Sequence, residues 1–151
     1  MTSSNKMCYK RLAGELARIK KKSLSGVKIE PTSNMLIWNA EIKGPSETPY
    51  ENGIFKLNLR FTEEYPIKPP SVKFSEPAKI FHPNIYRDGK ICVDILQKEW
   101  SPAQNIRSIL ISIMSLLNDP NPNSPANRDA AKLFVSNFNE YCKIVKKQML
   151  K

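Results

Sequence analysis

Residues 54–61 alternate strictly, with Phe55, Leu57, Leu59 and Phe61 on one side of the backbone and Lys56, Asn58 and Arg60 on the other. A period of two belongs to a strand with one dry face and one wet face. Strand-like stretches also lie at 27–30, at 35–42 around Ile37, Trp38 and Ile42, and at 71–74. Gly44-Pro45 and Asn52-Gly53 bracket the loop before the alternating strand, and residues 63–70, with Pro66, Pro69 and Pro70, form a stiff connection after it. Connections this short and polar favour an antiparallel meander of four strands.

Helical patterns stand on either side of this block. From 8 to 22, Leu12, Leu16 and Ile19 recur at helical spacing among Lys10, Arg11, Arg18, Lys20, Lys21 and Lys22. Gly14 weakens that helix by about 1 kcal/mol relative to Ala, and residues 23–26 end it. Farther on, Ile106, Ile109, Leu110, Ile113, Met114 and Leu117 form one apolar stripe. Ser101 is expected to cap this helix, with Pro102 in its first position and Gln104 completing a capping box. Residues 118–125, rich in Asn and Pro, stop it. Helical material resumes over 126–136, and a last helix is expected from Asn137 and Glu140 to the basic residues Lys146, Lys147 and Lys151. The element order is that of an α+β fold.

The length of 151 residues suits one domain, expected over 1–151 without a substantial extension. No apolar run is long enough to span a bilayer, and residues 1–6 have no signal-peptide pattern, so a soluble intracellular protein is expected. Cys8, Cys92, Cys142 and the single histidine, His82, lack metal-ligand spacing. Neither disulfides nor a structural metal are expected, and a reducing compartment follows. Lys and Arg number 24 against 14 Asp and Glu, a formal charge of +10. That balance suits acidic proteins, nucleic acid or anionic membranes without choosing among them. No nucleic-acid-binding motif accompanies it, so direct nucleic-acid binding is not expected.

The stretch from His82 to Trp100 is neither a clean helix nor a clean strand. Pro83 pushes His82 toward an extended conformation, and Asp88-Gly89 signals a turn, so the chain is bent around Cys92. Taken alone, Cys92 reads either as a small buried hydrophobe or as a nucleophile. A hydrolytic Cys-His pair would need His82 beside the thiol, and sequence does not put it there.

Five segments together decide more than composition does: Tyr65-Pro66-Ile67-Lys68-Pro69-Pro70, His82-Pro83-Asn84, Cys92 eight residues after Asn84, Trp100-Ser101-Pro102-Ala103, and Asp119-Pro120-Asn121-Pro122. In these the sequence resembles the ubiquitin-conjugating enzymes over nearly its whole length. Residues 61–66, 94–97 and 121–127 are similar to the class associated with DNA-damage tolerance and histone ubiquitination. The run 75–78 looks slightly longer than in close relatives.

The resemblance implies the UBC fold: an N-terminal helix, a four-stranded antiparallel meander and C-terminal helices. It implies that Cys92 takes the ubiquitin carboxyl as a thioester from an activating enzyme, and that a substrate lysine then attacks it, usually with a ligase bound. ATP is used by the activating enzyme, so no bound cofactor is expected. Asn84 would stabilise the oxyanion through its amide or hold the loop, and Asp94 would orient or desolvate the lysine. Ser124 stands where many relatives carry an acid. Lys10 and Arg11 would face the activating enzyme, and Ile67, Ser101, Pro102 and Ala103 the ligase, with Ile67 small enough to narrow the choice of ligases. His82 is left structural. A monomer acting in cytoplasm and nucleus, away from membranes, is expected. The alternatives are conjugation of another ubiquitin-like modifier, a basic nucleic-acid-binding protein, or a non-catalytic interaction module.

Overall fold

The alternating segment becomes one of the two inner strands of a four-stranded antiparallel sheet. In the computed structural model, which describes residues 3–77 and 79–149 and their side chains from Met7, the strands are β1 (Val27–Pro31), β2 (Ile37–Lys43), β3 (Ile54–Arg60) and β4 (Ser71–Glu76), paired in sequence order. The expectations that touch residues 1–2, Ala78 and Lys151 lie outside the described residues. Ile42 pairs with Phe55, Ala40 with Leu57 and Trp38 with Leu59, while Phe74 pairs with Leu57 and Val72 with Leu59. All eight of these side chains are buried, so one face of the sheet is continuous core. The opposite face carries Lys56, Asn58 and Arg60, none of them buried.

Strand limits differ from the sequence reading at two ends. β2 starts at Ile37 rather than at 35, because Asn34 turns the chain: its side chain accepts from Leu36 N (2.9 Å) and its carbonyl from Ile37 N (3.0 Å). β4 runs on to Glu76, past 74, because a register shift at Lys56/Leu57 lets Glu76 pair with Lys56.

Helix α1 spans Ser3–Lys21, α2 Ile106–Asn118, α3 Arg128–Ser136 and α4 Phe138–Met149. Cys8, Leu12 and Ile19 of α1 and Ile106, Ile109, Leu110, Ile113 and Leu117 of α2 join the sheet residues in one core cluster. α1 begins before residue 8, where the apolar spacing starts. Met7 in its early turns is 65% exposed, and a turn that faces water has no apolar period to read. Asn137 does both jobs between α3 and α4: its N–H donates to Leu133 O (2.8 Å) and its side chain accepts from Glu140 N (3.2 Å). α4 is fixed to the chain before His82 by Tyr50, whose hydroxyl donates to Phe81 O (2.6 Å) and bonds the Tyr141 hydroxyl, and by Gln148, which accepts from Phe81 N (2.8 Å).

The start of α2 is a correction. Ser101 does not cap it; residues 101–105 are turn and extended chain, and the cap is Asn105, whose side chain accepts from Ser108 N while Ser108 Oγ accepts from Asn105 N (both 2.8 Å). The bond that would have carried the helix back, Ile106 N to Pro102 O, is divided between two side chains of α1. Glu15 Oε1 takes the Ile106 N–H (2.7 Å), and Arg11 Nη2 donates to Pro102 O (3.0 Å) and Gln104 O (2.7 Å). α3 likewise starts two residues later than 126, because Asn127 caps it on Ala130 N (3.0 Å). Asn105→Ala is expected to cost about 1 kcal/mol in urea unfolding, the usual worth of a cap, and Ser101→Ala well under half of that. Equal losses for the two would return the cap to Ser101.

Candidate active site

His82, Pro83 and Asn84 are all buried, and between them they bond four other segments of the chain. The His82 ring bonds Leu116 O through Nε2 (2.8 Å) and accepts Asn84 N–H at Nδ1 (2.9 Å), which selects the neutral ring with its proton on Nε2. Pro83 O accepts from Ala126 N (2.7 Å) and Asn127 N (3.0 Å) at the entry to α3. The Asn84 carboxamide accepts from Asn121 N (2.8 Å) and donates to Asn121 O (2.7 Å) and Ser124 O (3.4 Å). Its backbone carbonyl holds Cys92 N at 2.8 Å. Both Asn84 amide hydrogens are therefore committed to the 121–124 loop. In this arrangement Asn84 is a brace for that loop and has no donor left over for an oxyanion.

Cys92 follows a tight return. Tyr86 N reaches Lys90 O (2.8 Å), and Ile85 bridges Ile91. Gly89 sits at φ +93 with Phe74 O only 2.2 Å from where a Cβ would stand, so no other residue fits that corner. After Cys92 the chain makes one 3-10 turn, Asp94–Leu96. The half-buried thiol opens into a groove of about 720 Å³ that it shares with Asn84, Asp94, Asn121 and Ser124 and that continues along α2 past Ser108 and Ile111. The Cys92 Sγ lies 3.9 Å from Ser124 O. Cys8 is fully buried, and burial, helped by Glu63, pushes its thiol up; burial also pushes Cys142 up, against the pull of Lys146. Neither lines this groove.

Asp94 and Ser124 are exposed at the same mouth. It is the Ser124 carbonyl, not its hydroxyl, that faces the thiol and Asn84. The residues expected to meet a ligase are also brought together. Trp100 Nε1 donates to Pro66 O (3.0 Å), joining the 65–68 and 100–104 loops, and Ile67 projects from them 71% exposed with Pro102 and Ala103 exposed beside it. Lys10 is exposed on α1, whereas Arg11 is half-buried and committed to Glu15 (2.7 Å) and the two carbonyls of the 100–104 loop. Burial works against the Arg11 charge, but the bonds to Glu15 more than offset it and hold the guanidinium protonated.

The comparisons with known proteins fit this geometry. The ubiquitin-conjugating enzyme family model matches residues 11–149. The chain is 52% identical over 143 residues to "Ubiquitin-conjugating enzyme E2 2" of Kluyveromyces lactis, covering 94% of this chain and 86% of that one. It is 54% identical over 137 residues to "Ubiquitin-conjugating enzyme E2 1" of Caenorhabditis elegans (90% and 70%), and 50% identical to "Ubiquitin-conjugating enzyme E2 2" of Saccharomyces cerevisiae (94% and 82%). The chain belongs to the ubiquitin-conjugating enzyme family.

As a ubiquitin-conjugating enzyme it is a transferase that works through a thioester, with ubiquitin, an activating enzyme and ligases as its partners. The helix, antiparallel meander and helical half are those of the UBC fold. Among the described residues, no helix is long and apolar enough to cross a membrane. Two groups central to this geometry escape a reading of the sequence. Glu15 is 2% exposed and gathers Arg11, Tyr65 (2.5 Å) and Ile106 N, although its position on a basic helix looks like that of a surface charge. Asn121 sits among the loop residues that stop α2, where nothing local marks it as the partner of Asn84.

Burial lowers the His82 ring to about 4, from an ordinary 6.5, with the bond to Leu116 O pulling weakly the other way. Above pH 6.5 the ring is neutral in both folded and unfolded chains, and its full contribution to stability is present. As pH falls from 6.5 toward 4 the unfolded chain takes up a proton that the folded chain refuses. This site then removes stability at ~1.4 kcal/mol per pH unit, about 3 kcal/mol across the window. Urea titrations at several pH values should give a shallower acid loss for His82→Gln than for the parent; parallel slopes would assign the loss elsewhere.

Proposed function

We propose that Cys92 is the thiol that carries ubiquitin, and that Asn84, Asp94 and Ser124 shape the acceptor side of the same groove. The observation that carries this is the opening of Cys92, alone of the three thiols, into the groove pinned by Asn84. In transfer, the unprotonated Nζ of a substrate lysine bonds to the thioester carbonyl carbon. The C–S bond breaks, sulfur leaves as the Cys92 thiolate, and the nitrogen releases a proton to solvent, leaving an isopeptide and a free thiol. The carbonyl arrives already activated, so position matters more than a strong base at the thiol. Asp94, exposed at the mouth, is suited to orient the incoming ammonium, and the Ser124 carbonyl to fix the wall opposite it.

Lys10 is the α1 cation in this reading that meets the activating enzyme. Ile67, Ser101, Pro102 and Ala103 form the surface for a ligase, and Arg11 supports that surface from behind. Action in nucleus and cytoplasm, within the DNA-damage-tolerance class, is part of the same proposal; loss of the protein should sensitise its host to DNA-damaging agents, and unchanged survival would remove that class.

Incubated with activating enzyme, ATP and ubiquitin, the protein is expected to form an adduct that reducing agents cleave, on Cys92 and on neither Cys8 nor Cys142. A reducible adduct that persists in Cys92→Ala would defeat the assignment. Asn84→Ala leaves the Asn121 N–H and C=O without their partner and should cost about 1–3 kcal/mol of stability. It should still charge, but pass ubiquitin to free lysine at least about tenfold more slowly, with faster hydrogen exchange at the Asn121 amide. Slower discharge with unchanged exchange would make Asn84 a direct participant rather than a brace.

A further inference from the structure

Asn84 lines the cysteine groove, and the residues flanking His82–Asn84, Phe81 and Ile85, line a second cavity, of about 420 Å³. Three cations line it, each from a different part of the chain: Lys79 before His82, Arg87 in the 86–90 turn, and Arg128 in the first turn of α3. All three are exposed, and among the described residues none makes an ion pair. Asp88, next to Arg87, is already paired with Lys90 (3.9 Å).

The neutral polar groups around the cavity have used their acceptors elsewhere. Gln148 spends its carbonyl oxygen on Phe81 N and Asn127 spends its own on Ala130 N, so each has amide hydrogens left to offer. Asp129 is the one carboxylate on the lining. A cavity with three unpaired cations, spare N–H donors and a single acid is built for anionic groups.

Its walls are hydrogen-bonded directly to the cysteine segment. The Arg128 side is fixed by Ala126 N and Asn127 N on Pro83 O, and the Arg87 side by the return that brings Cys92 N onto Asn84 O. Asn84 lines the cysteine groove and Ile85, which bridges Ile91 beside Cys92, lines this cavity; Arg87, three residues on from Asn84, is at most roughly 11 Å from it. An extended peptide covers the same distance in three or four residues.

We infer that this cavity is a docking site for an acidic segment of the substrate protein, which it holds so that a lysine three or four positions away reaches the thioester on Cys92. The inference rests on the proposal that Cys92 carries ubiquitin. It gives the enzyme a preference among acceptors that does not depend on a ligase. The shape suits carboxylates of Asp and Glu with an apolar neighbour, since Ile80, Phe81 and Ile85 also line the cavity.

The test uses the full chain and labelled short peptides with a single lysine, in three forms: Asp and Glu three to four positions away, Asn and Gln at the same positions, and the acids moved to the far end. Fluorescence anisotropy with the uncharged protein reads binding, and single-turnover loss of the ubiquitin thioester reads transfer. The near-acid peptide is expected to bind and to accept ubiquitin about tenfold better than the neutral one, the worth of two or three partly exposed ion pairs. The margin should shrink at about 0.5 M salt. Arg87→Glu with Arg128→Glu should abolish it while leaving thermal stability and discharge to free lysine unchanged.

Equal behaviour of the three peptides, a preference that survives in the double variant, or tight binding with no gain in transfer would each overturn the inference. So would displacement of the peptide by duplex DNA that binds more tightly through Arg87 and Arg128, which would make this a nucleic-acid site. Failure of Cys92 to carry ubiquitin at all would remove the reading on which the inference rests, and with it the acceptor role, while the anisotropy still decided whether the cavity takes acidic peptides.

Discussion

The hydrogen bonds of His82, Pro83 and Asn84 are the constraint on which the site depends. Three consecutive residues reach the end of α2 through Leu116, the loop at Asn121 and Ser124, the entry to α3 through Pro83 O, and the cysteine through Asn84 O. The His82–Asn84 end of each bond is buried, where a lost partner costs the desolvation of the group left behind. The segment therefore behaves as a rigid beam between the two cavities, and a neutral histidine is the residue able to donate at one end and accept at the other. A protonated ring would lose its acceptor for Asn84 N, so this bond and the burial both favour the neutral ring.

A second network, built on Glu15, supports the partner-facing side in a comparable way. Its carboxylate takes a guanidinium, a phenol and a backbone N–H, which leaves little of a buried charge unsatisfied. Burial and the bond to Glu15 push the Tyr65 hydroxyl well up, so it stays a donor. Because Arg11 and Glu15 occupy both halves of the Pro102–Ile106 bond, α2 starts at Ile106 and residues 101–104 are left as a loop. The surface carrying Pro102 and Ala103 thus exists because an ion pair from another helix interrupts this one. Removing either partner would leave the other charge or the backbone groups unpaired, a costlier change than loss of an exposed pair.

The same pair explains what was and was not legible in the sequence. The register of β3 could be read directly, since its alternation is a local consequence of burial on one face, and all four strands lie in the expected order. Ser101-Pro102-Ala103-Gln104 has the local signature of a helix start, yet tertiary bonds from residues about ninety positions away override it. Asn105 lacks the usual sequence mark of a cap because its capping box closes with Ser108 rather than Glu or Gln. Cys92 was placed by its neighbours His82-Pro83-Asn84, whereas the commitment of Asn84 to Asn121 depends on a loop fold with no local signal. The sequence of α1 does not reveal which of its basic residues turns inward, so nothing local separates Arg11 from Lys10.

The sole histidine is buried, bonded to Leu116 O and Asn84 N, and absent from the groove lining, so it is not placed to deprotonate an acceptor at Cys92. A lysine with an ordinary value near 10.4 is free amine in less than about one part in a thousand at pH 7. Transfer then depends on how long and how closely an acceptor is held at the thioester, which is a matter of effective concentration rather than of acid–base strength. Two surfaces can raise that concentration: the ligase-facing loops, which act through a partner, and the cationic cavity beside His82–Asn84, which would act on the acceptor itself. The rigid segment between them fixes the distance from the cavity to the thiol. Mobility there would weaken any positional preference among lysines, so the cost of burying so many polar groups is understandable as the cost of a fixed spacing.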